Sequence, residues 1–276
     1  MKLSVIIPSY KGQALLQESL PHLCRALDKV STSEIIVVDN GSKDSTVRFL
    51  KHHYPDIRVK QLVSNYGFTK AVNTGIKIAK GEYLLLLNND CHLNKNTLQT
   101  LMNFMQKNKD LVATQPVITR QNGSIENIGY VVDLKKGKAI PVVDPKLIPA
   151  FDNATMWDTG YIYGLSGACL LLRKDSLRKV GTFDERFHSY LEDVDFFIRL
   201  AQYGYTYAPC PEVSVIHKHM STSAAMKGYK EWHDLANWIR IIKKNYHLSY
   251  IIRHLLTLVI ERLRNASGWL KRMIQV

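Results

Sequence analysis

The chain has 276 residues, 46% hydrophobic and 22% charged, with 15 Gly and 9 Pro. These fractions belong to a folded globular chain and exclude disorder, collagen-like repeats and a membrane bundle; the length suffices to bury a sizeable core. A formal charge of +13 points to a polyanionic ligand, a membrane surface or nucleic acid as partner, without choosing among them.

Cys24, Cys91, Cys169 and Cys210 are far apart, with no pair at CxxC spacing, which argues against a disulfide framework or zinc site and for a reducing cytosol. The apolar run before Pro8 is too short for a signal peptide, and no run of about 18 apolar residues is present to span a bilayer.

In chain order, residues 3–7 read as a buried strand stopped by Pro8, 34–39 (EIIVVD) as a second, 57–63 as a weaker third and 82–87 (EYLLLL) as a fourth. Helical patterns occupy 13–27, 45–53 and 69–79 between them. Strand and helix alternating at this spacing predict βαβ units and a mostly parallel sheet covered on both faces. In such sheets ligands sit beyond the carboxyl ends of the strands. The residues there are Pro8-Ser9-Tyr10, Asp39-Asn40-Gly41-Ser42 and Asn88-Asn89-Asp90, which should converge on one edge.

Residues 121–163, rich in Gly, Pro, Asp and Lys, read as loops and short strands over the pocket. A strand is expected at 167–173 (GACLLLR), then a helix over 175–180. Val194, Phe197, Ile198 and Ala201 suit the buried face of a further helix, with Glu192-Asp193 near its N-terminus.

The segments VIIPSY, IIVVDNGSKDST, NYGFTKAVNTGI, GEYLLLLNND and SYLEDVDFFIRL, in this order and spacing, resemble the family-2 glycosyltransferases, inverting enzymes of the GT-A fold. The resemblance runs over residues 2–219, and its closest flavour is the group that adds rhamnose or related sugars to bacterial surface polysaccharides. It implies a GT-A catalytic domain over 1–219, a Rossmann-like mostly parallel sheet flanked by helices, with a C-terminal helical extension over 220–276.

Transfer from a nucleotide diphosphate needs a cradle for the base, a cation for the departing diphosphate and a base for the acceptor hydroxyl. In the family, the positions of Pro8, Tyr10, Asp39 and Asn40 hold the nucleotide; as plain chemistry, Asp39-Asn40-Gly41-Ser42 is also a turn with an N-cap. Many members have two acids where Asp39-Asn40 stands, so the base preference does not carry across. Asn65, Gly67 and Asn73 match the segment where the family's backbone runs close to the nucleotide, and helix capping is the alternative. Asn88-Asn89-Asp90 takes the place of the DXD motif: Asp90 is the expected ligand of a divalent cation, Mg2+ or Mn2+, and Asn88 reaches ribose or phosphate, with Asn89 beside it.

Asp193 matches the catalytic base and Glu192 its acidic neighbour near the acceptor; a helix N-terminus also favours acids there. Ser166-Gly167-Ala168 match a segment lining the sugar and acceptor pocket. Of His217 and His219, His217 better fits the family's further metal ligand. Trp157 and Tyr161 could stack on a sugar, although core packing is the commoner use of aromatic rings.

Residues 227–276 carry ten basic and three acidic side chains, over half of the chain's excess charge. At about 100° per residue, Leu248, Ile251, Ile252, Leu255, Leu256, Leu258, Val259, Ile260 and Leu263 cover one arc of a helix, with Arg253, His254, Thr257, Glu261 and Arg264 opposite. Such a helix lies on an anionic membrane, or packs on the main domain or a second subunit.

The leading expectation is a metal-dependent glycosyltransferase at the inner membrane face. It would use a UDP or dTDP sugar and a saccharide or lipid-linked acceptor, with no nucleic-acid partner. A catalytically weak or inactive nucleotide- or glycan-binding scaffold is the alternative, motivated by Asn88. A sugar-nucleotide pyrophosphorylase fits less well, because PSYKGQ holds a single Gly where that class has a Gly-rich basic loop.

Overall fold

A computed structural model of the chain describes residues 2–150, 155–218 and 228–274. The first half alternates β1 (Leu3–Ser9), α1 (Gln13–Leu27), β2 (Ser33–Asp39), α2 (Thr46–His53), β3 (Arg58–Gln61), α3 (Phe68–Ile78) and β4 (Tyr83–Leu87). Then follow β5 (Cys91–Leu93), α4 (Thr97–Lys107), β6 (Leu111–Thr114), β7 (Pro116–Thr119), β8 (Ile125–Asn127), β9 (Tyr130–Asp133), β10 (Lys138–Pro141), α5 (Met156–Thr159) and β11 (Tyr161–Gly164). The remainder holds β12 (Cys169–Arg173), α6 (Leu177–Val180), α7 (Glu192–Gln202), β13 (Thr206–Tyr207), β14 (Cys210–His217), α8 (Tyr229–Asn245), α9 (Leu248–Arg253) and α10 (Leu255–Ile274).

Seven strands form the central sheet in the order β13-β6-β12-β4-β1-β2-β3. Strands β1 to β4 are mutually parallel, and β12 runs antiparallel between β4 and β6. The strands read as near-continuous apolar runs because both faces are covered, and alternate residues feed two cores. Leu3, Val5, Val37, Leu85 and Leu171 join Leu16, Leu20, Leu98 and Leu101 of α1 and α4 on one face. Ile6, Ile36, Val38, Leu86 and Leu170 join Ala71, Val72, Phe196 and Phe197 of α3 and α7 on the other.

The expected strands and helices of the first half are present with shifted ends. Strand β1 does not stop at Pro8 but runs through it, with Pro8 in register with Val38 and Ser9 with Asp39. Pairing with β4 has already ended at Ile6, so the missing proline N–H interrupts no ladder on that side. The helix expected over 175–180 is split into a 3-10 turn, Lys174–Ser176, and the short α6.

Two smaller sheets stand beyond the central one: β5-β14-β7-β8, and β10-β9-β11 drawn from the stretch of weak periodicity. Helix α8 is built into a third core, where Trp238 and Ile241 join Val194 and Ile198 of α7, Val132 of β9 and Ile162 of β11. The proposed boundary at 219/220 and His219 lie outside the described residues. The single amphipathic helix read from the tail is two helices, α9 and α10, parted at His254.

Candidate active site

Parallel β1, β2 and β4 deliver their last residues to one edge of the sheet, and antiparallel β12 returns its beginning to the same edge, with Cys169 opposite Leu87. Asn40 N–H donates to Ser9 O (2.7 Å), and Asn88 N–H to Ala168 O (2.9 Å). The three polar clusters after the strands therefore converge with Ser166-Gly167-Ala168.

At the β2 end, Asp39 is fully buried and neither carboxylate oxygen has a hydrogen-bond partner. Burial raises its pKa, with Ser42 and Gln61 close enough to offset part of that rise. Asn40 braces the adjoining loop: its Nδ2 donates to Asn65 Oδ1 (2.9 Å) and Gly67 O (3.0 Å), and its Oδ1 accepts from Tyr66 N–H (3.0 Å). Gly67 has φ +90°, and a Cβ there would come within 2.4 Å of His188 O. Its missing side chain thus lets the segment before α7 approach, with Phe68 N–H donating to His188 O (2.7 Å). Asn73 is turned the same way, donating to Phe183 O (2.7 Å) and accepting from Phe183 N–H (3.2 Å). Pro8 and Tyr10 stand half-buried at the end of β1, and Asn89 Nδ2 donates to Ser9 Oγ (3.1 Å).

The small sheet β5-β14-β7-β8 brings His217 to Asp90. Antiparallel pairing of β14 with β5 sets His217 against Cys91, and His217 Nε2 lies 3.3 Å from Asp90 Oδ1 and 3.4 Å from Asn88 Nδ2. On its other edge, His217 Nδ1 lies 3.2 Å from Glu126 Oε2, a β8 side chain that the sequence pattern did not single out. Burial opposes a charge on His217, but the two flanking carboxylates overcome it and push its pKa up to about 9.

Ligand atoms of Asp90, Cys91 and His217 lie within 4.8 Å of one another. Asp90 and His217 together fit a divalent cation: a carboxylate oxygen suits Mg2+ or Mn2+, and the imidazole favours Mn2+ over the harder Mg2+, with water and phosphate to complete the sphere. Cys91 is a poor ligand, because full burial holds its thiol protonated. Glu126 holds the far nitrogen of His217, as carboxylates behind metal-binding imidazoles do.

A cavity of about 1180 Å³ opens beside this pair, lined by Asn88, Glu126, His217, Ser166, Gly167 and Asp193 among others. Asp193 sits in the first turn of α7, its carboxylate accepting from Gly167 N–H (3.1 Å) and Val194 N–H (2.8 Å). Neighbouring Glu192 is 8% exposed, and its Oε2 is buried without a partner. Burial, then the nearby Asp193, push the Glu192 pKa up to about 8; burial raises Asp193 too, against its two N–H donors. Both carboxyls are therefore harder to ionise than exposed ones, while the N–H donors from Gly167 and Val194 favour the charged form of Asp193. Asp195, two residues on, is fully buried but satisfied by Arg199 (2.9 Å), Lys244 (2.9 Å) and Asn245 (3.0 Å), and ties α7 to α8.

The turn before α7 is strained: Tyr190 and Leu191 have φ of 67° and 63°. Asn237 of α8 clamps it, its Nδ2 donating to Ser189 O (2.8 Å) and Tyr190 O (2.7 Å). Gln115 braces the opposite wall, accepting from Ser166 N–H and donating to Asn127 Oδ1 (3.2 Å). Tyr130, whose phenol burial keeps protonated, adds a hydroxyl beside Ser166 and Asp193. None of Gln115, Glu126, Tyr130 and Asn237 belongs to a local motif, so only the topology reveals them. Trp157 packs edge-on against Tyr246 (5.3 Å) and Tyr250 (5.1 Å), a core use of its ring.

Residues 4–181 match the sequence profile of glycosyl transferase family 2. The chain belongs to that family. It is 28% identical over 225 residues to an N-acetylglucosaminyl-diphospho-decaprenol L-rhamnosyltransferase of Mycobacterium tuberculosis, covering 71% of this chain and 72% of the relative. Among solved structures it resembles Staphylococcus aureus TarS 1–349 in complex with UDP-GlcNAc, with a TM-score of 0.64, 20% identity, and 96% and 73% of the two chains covered. It also resembles the mannosyltransferase PcManGT of Pyrobaculum calidifontis in complex with GDP-Man and Mn2+, with a TM-score of 0.64, 17% identity, and 98% and 74% covered. The fold is GT-A, as the five segments implied.

Proposed function

We propose that this glycosyltransferase moves a sugar, with inversion, from a UDP or dTDP donor to a hydroxyl of a saccharide or lipid-linked acceptor in cell-surface polysaccharide synthesis. The observation that carries the reading is the placement of Asp193, its carboxylate held by two backbone N–H donors, in one cavity with His217 and hence with Asp90.

In this reading Asp193 takes the acceptor's O–H proton while that oxygen forms its bond to the anomeric carbon. The bond from that carbon to the diphosphate oxygen breaks on the opposite face, and the electron pair leaves with the diphosphate. Backbone N–H groups of Gly167 and Val194 hold the carboxylate in place. Protonated Glu192 donates a hydrogen bond to a sugar hydroxyl through its otherwise unpartnered end. Asp90 and His217 would hold a divalent cation, which when bound neutralises charge on the departing diphosphate.

Thermal stability against UDP, dTDP and GDP, each with and without Mn2+, tests the donor class: one diphosphate should raise the melting point in a metal-dependent way. Asp193→Asn should then lower transfer by roughly 10²–10⁴-fold while leaving that thermal shift intact. Transfer near the wild-type rate in this variant would overturn the assignment of the base, and the absence of any shift would favour the binding-scaffold alternative.

A further inference from the structure

Helix α10 is mounted with its polar edge inward. Leu258 and Glu261 are its buried residues, and Arg262 and Thr257 bind the loop between β9 and β10, Arg262 Nη2 donating to Gly137 O (2.6 Å) and Thr257 Oγ1 to Lys135 O (2.8 Å). Trp269 packs on Trp232 of α8 at 5.3 Å between ring centroids. Leu255, Leu256, Val259, Ile260, Leu263, Leu270, Met273 and Ile274 are left facing out, each between 40% and 74% exposed, and Leu248 and Ile252 of α9 extend the row.

Ten of the nineteen large exposed apolar side chains among the described residues thus lie on these two helices. The stripe on α10 follows the face of a 20-residue helix, a length of roughly 30 Å. The row is interrupted at residues 264–269 (RNASGW) and resumes at Leu270, and an exposed apolar face of this extent marks an interaction surface. In helical projection at about 100° per residue, Arg264 and Lys271, both exposed, form a basic border along one side of the stripe.

We propose that this outward face of α9 and α10 is a membrane-docking surface for an anionic bilayer. Two observations choose this occupant. The described tail, residues 228–274, carries nine basic and three acidic side chains. A second copy seated on the stripe would bring like charge against like, whereas anionic headgroups offer the opposite sign beside acyl chains that accept the apolar row. Moreover, the inward edge of the same helix walls the far end of the cavity, through Glu261, Arg262 and Asn265. One helix therefore faces lipid on one side and the cavity containing Asp193 on the other. No helix among the described residues is long and apolar enough to cross a membrane, so the stripe acts in the interface plane.

The inference takes its biological sense from the proposed lipid-linked acceptor, but vesicle binding tests it whatever the protein transfers. The full chain is sedimented with phosphatidylglycerol/phosphatidylcholine vesicles and with phosphatidylcholine alone, alongside Leu256→Asp/Leu263→Asp. These side chains are 74% and 64% exposed, so the variant should fold as the wild type does. The wild type should partition onto the anionic vesicles, weaken on neutral ones, and lose about tenfold or more of that partitioning in the variant. Undiminished binding by the variant would overturn the proposal. So would a wild type that stays off vesicles and sediments as a dimer that the variant dissociates, since that would make the stripe a contact between copies. The UDP-induced thermal shift reads the catalytic reading separately and should be the same in both proteins.

Discussion

The polar side chains around the site divide into two sets, handled differently by the fold. Along the edge formed by β1, β2 and α3, asparagines are spent on the protein's own groups: Asn40 on the backbone of the 65–67 loop, Asn73 on the backbone of Phe183, Asn89 on the Ser9 hydroxyl. Across the cavity, on the wall made by β8, β9 and α7, the groups are ionisable, buried and crowded: Glu126 against His217, and Glu192 beside Asp193. The first set makes a rigid shelf, which suits a ligand held through shape and backbone. The second stores electrostatic stress, which is where proton transfer and metal binding belong.

This difference can be broken or sharpened by substitution. Among the residues that support the site, the largest effect should come from Asn237→Ala, which frees the strained turn that aims α7. Turnover should fall by up to roughly 10²-fold, since small misplacements of a catalytic group cost that much, with KM for the donor little changed. An equal loss in kcat from Asn245→Ala, which contacts Asp195 and not the turn, would reduce Asn237 to a general stabiliser.

Glu126→Gln removes the charge behind His217 and should weaken Mn2+ binding by roughly 10–100-fold, read by titration of the ion followed by electron paramagnetic resonance. Unaltered Mn2+ affinity would separate Glu126 from the proposed metal site. Because His217 titrates at about 9, the cation must displace its proton, so affinity should rise with pH between neutrality and that value.

On the shelf the response should be different in kind. Gly67→Ala forces a Cβ toward His188 O at a backbone conformation that favours glycine, costing about 1–3 kcal/mol of stability. Its activity per folded molecule at low temperature should be closer to wild type than that of Asn237→Ala.

The smallest effect concerns pH. Glu192 binds its proton more tightly folded (about 8) than unfolded (4.5), so its contribution to stability is full below the unfolded value and is lost as pH rises through the folded one. Glu192→Gln, which mimics the protonated form, should therefore gain a few degrees of melting temperature over wild type at pH 8 and none at pH 4. An identical pH profile in both proteins would mean that Glu192 does not carry the raised pKa.

The first ninety residues made the fold legible because each strand there is buried on both faces, giving runs such as YLLLL that no surface element would carry, and each run ends in polar residues. Asp90 and Asp193 were legible by motif and position for the same reason: a strand end and a helix start are local facts. Glu126, Gln115 and Tyr130 were not, because Glu126 and Tyr130 come from strands of three or four residues in a stretch without periodicity, Gln115 is the single residue between β6 and β7, and their neighbours lie 91, 51 and 36 positions away in the chain.

The tail divides the same way. The amphipathic composition of residues 248–264 was plain from the sequence, yet composition has no inside or outside. The docking of Arg262 and Thr257 onto the β9–β10 loop set the polar edge inward and left the leucines outward. Local pattern thus determined which elements form and which ends carry polar groups. Only tertiary structure decided which carboxylates lose their water, which asparagines are consumed as braces and which face of the last helix meets solvent, because desolvation and orientation depend on neighbours far away in the chain.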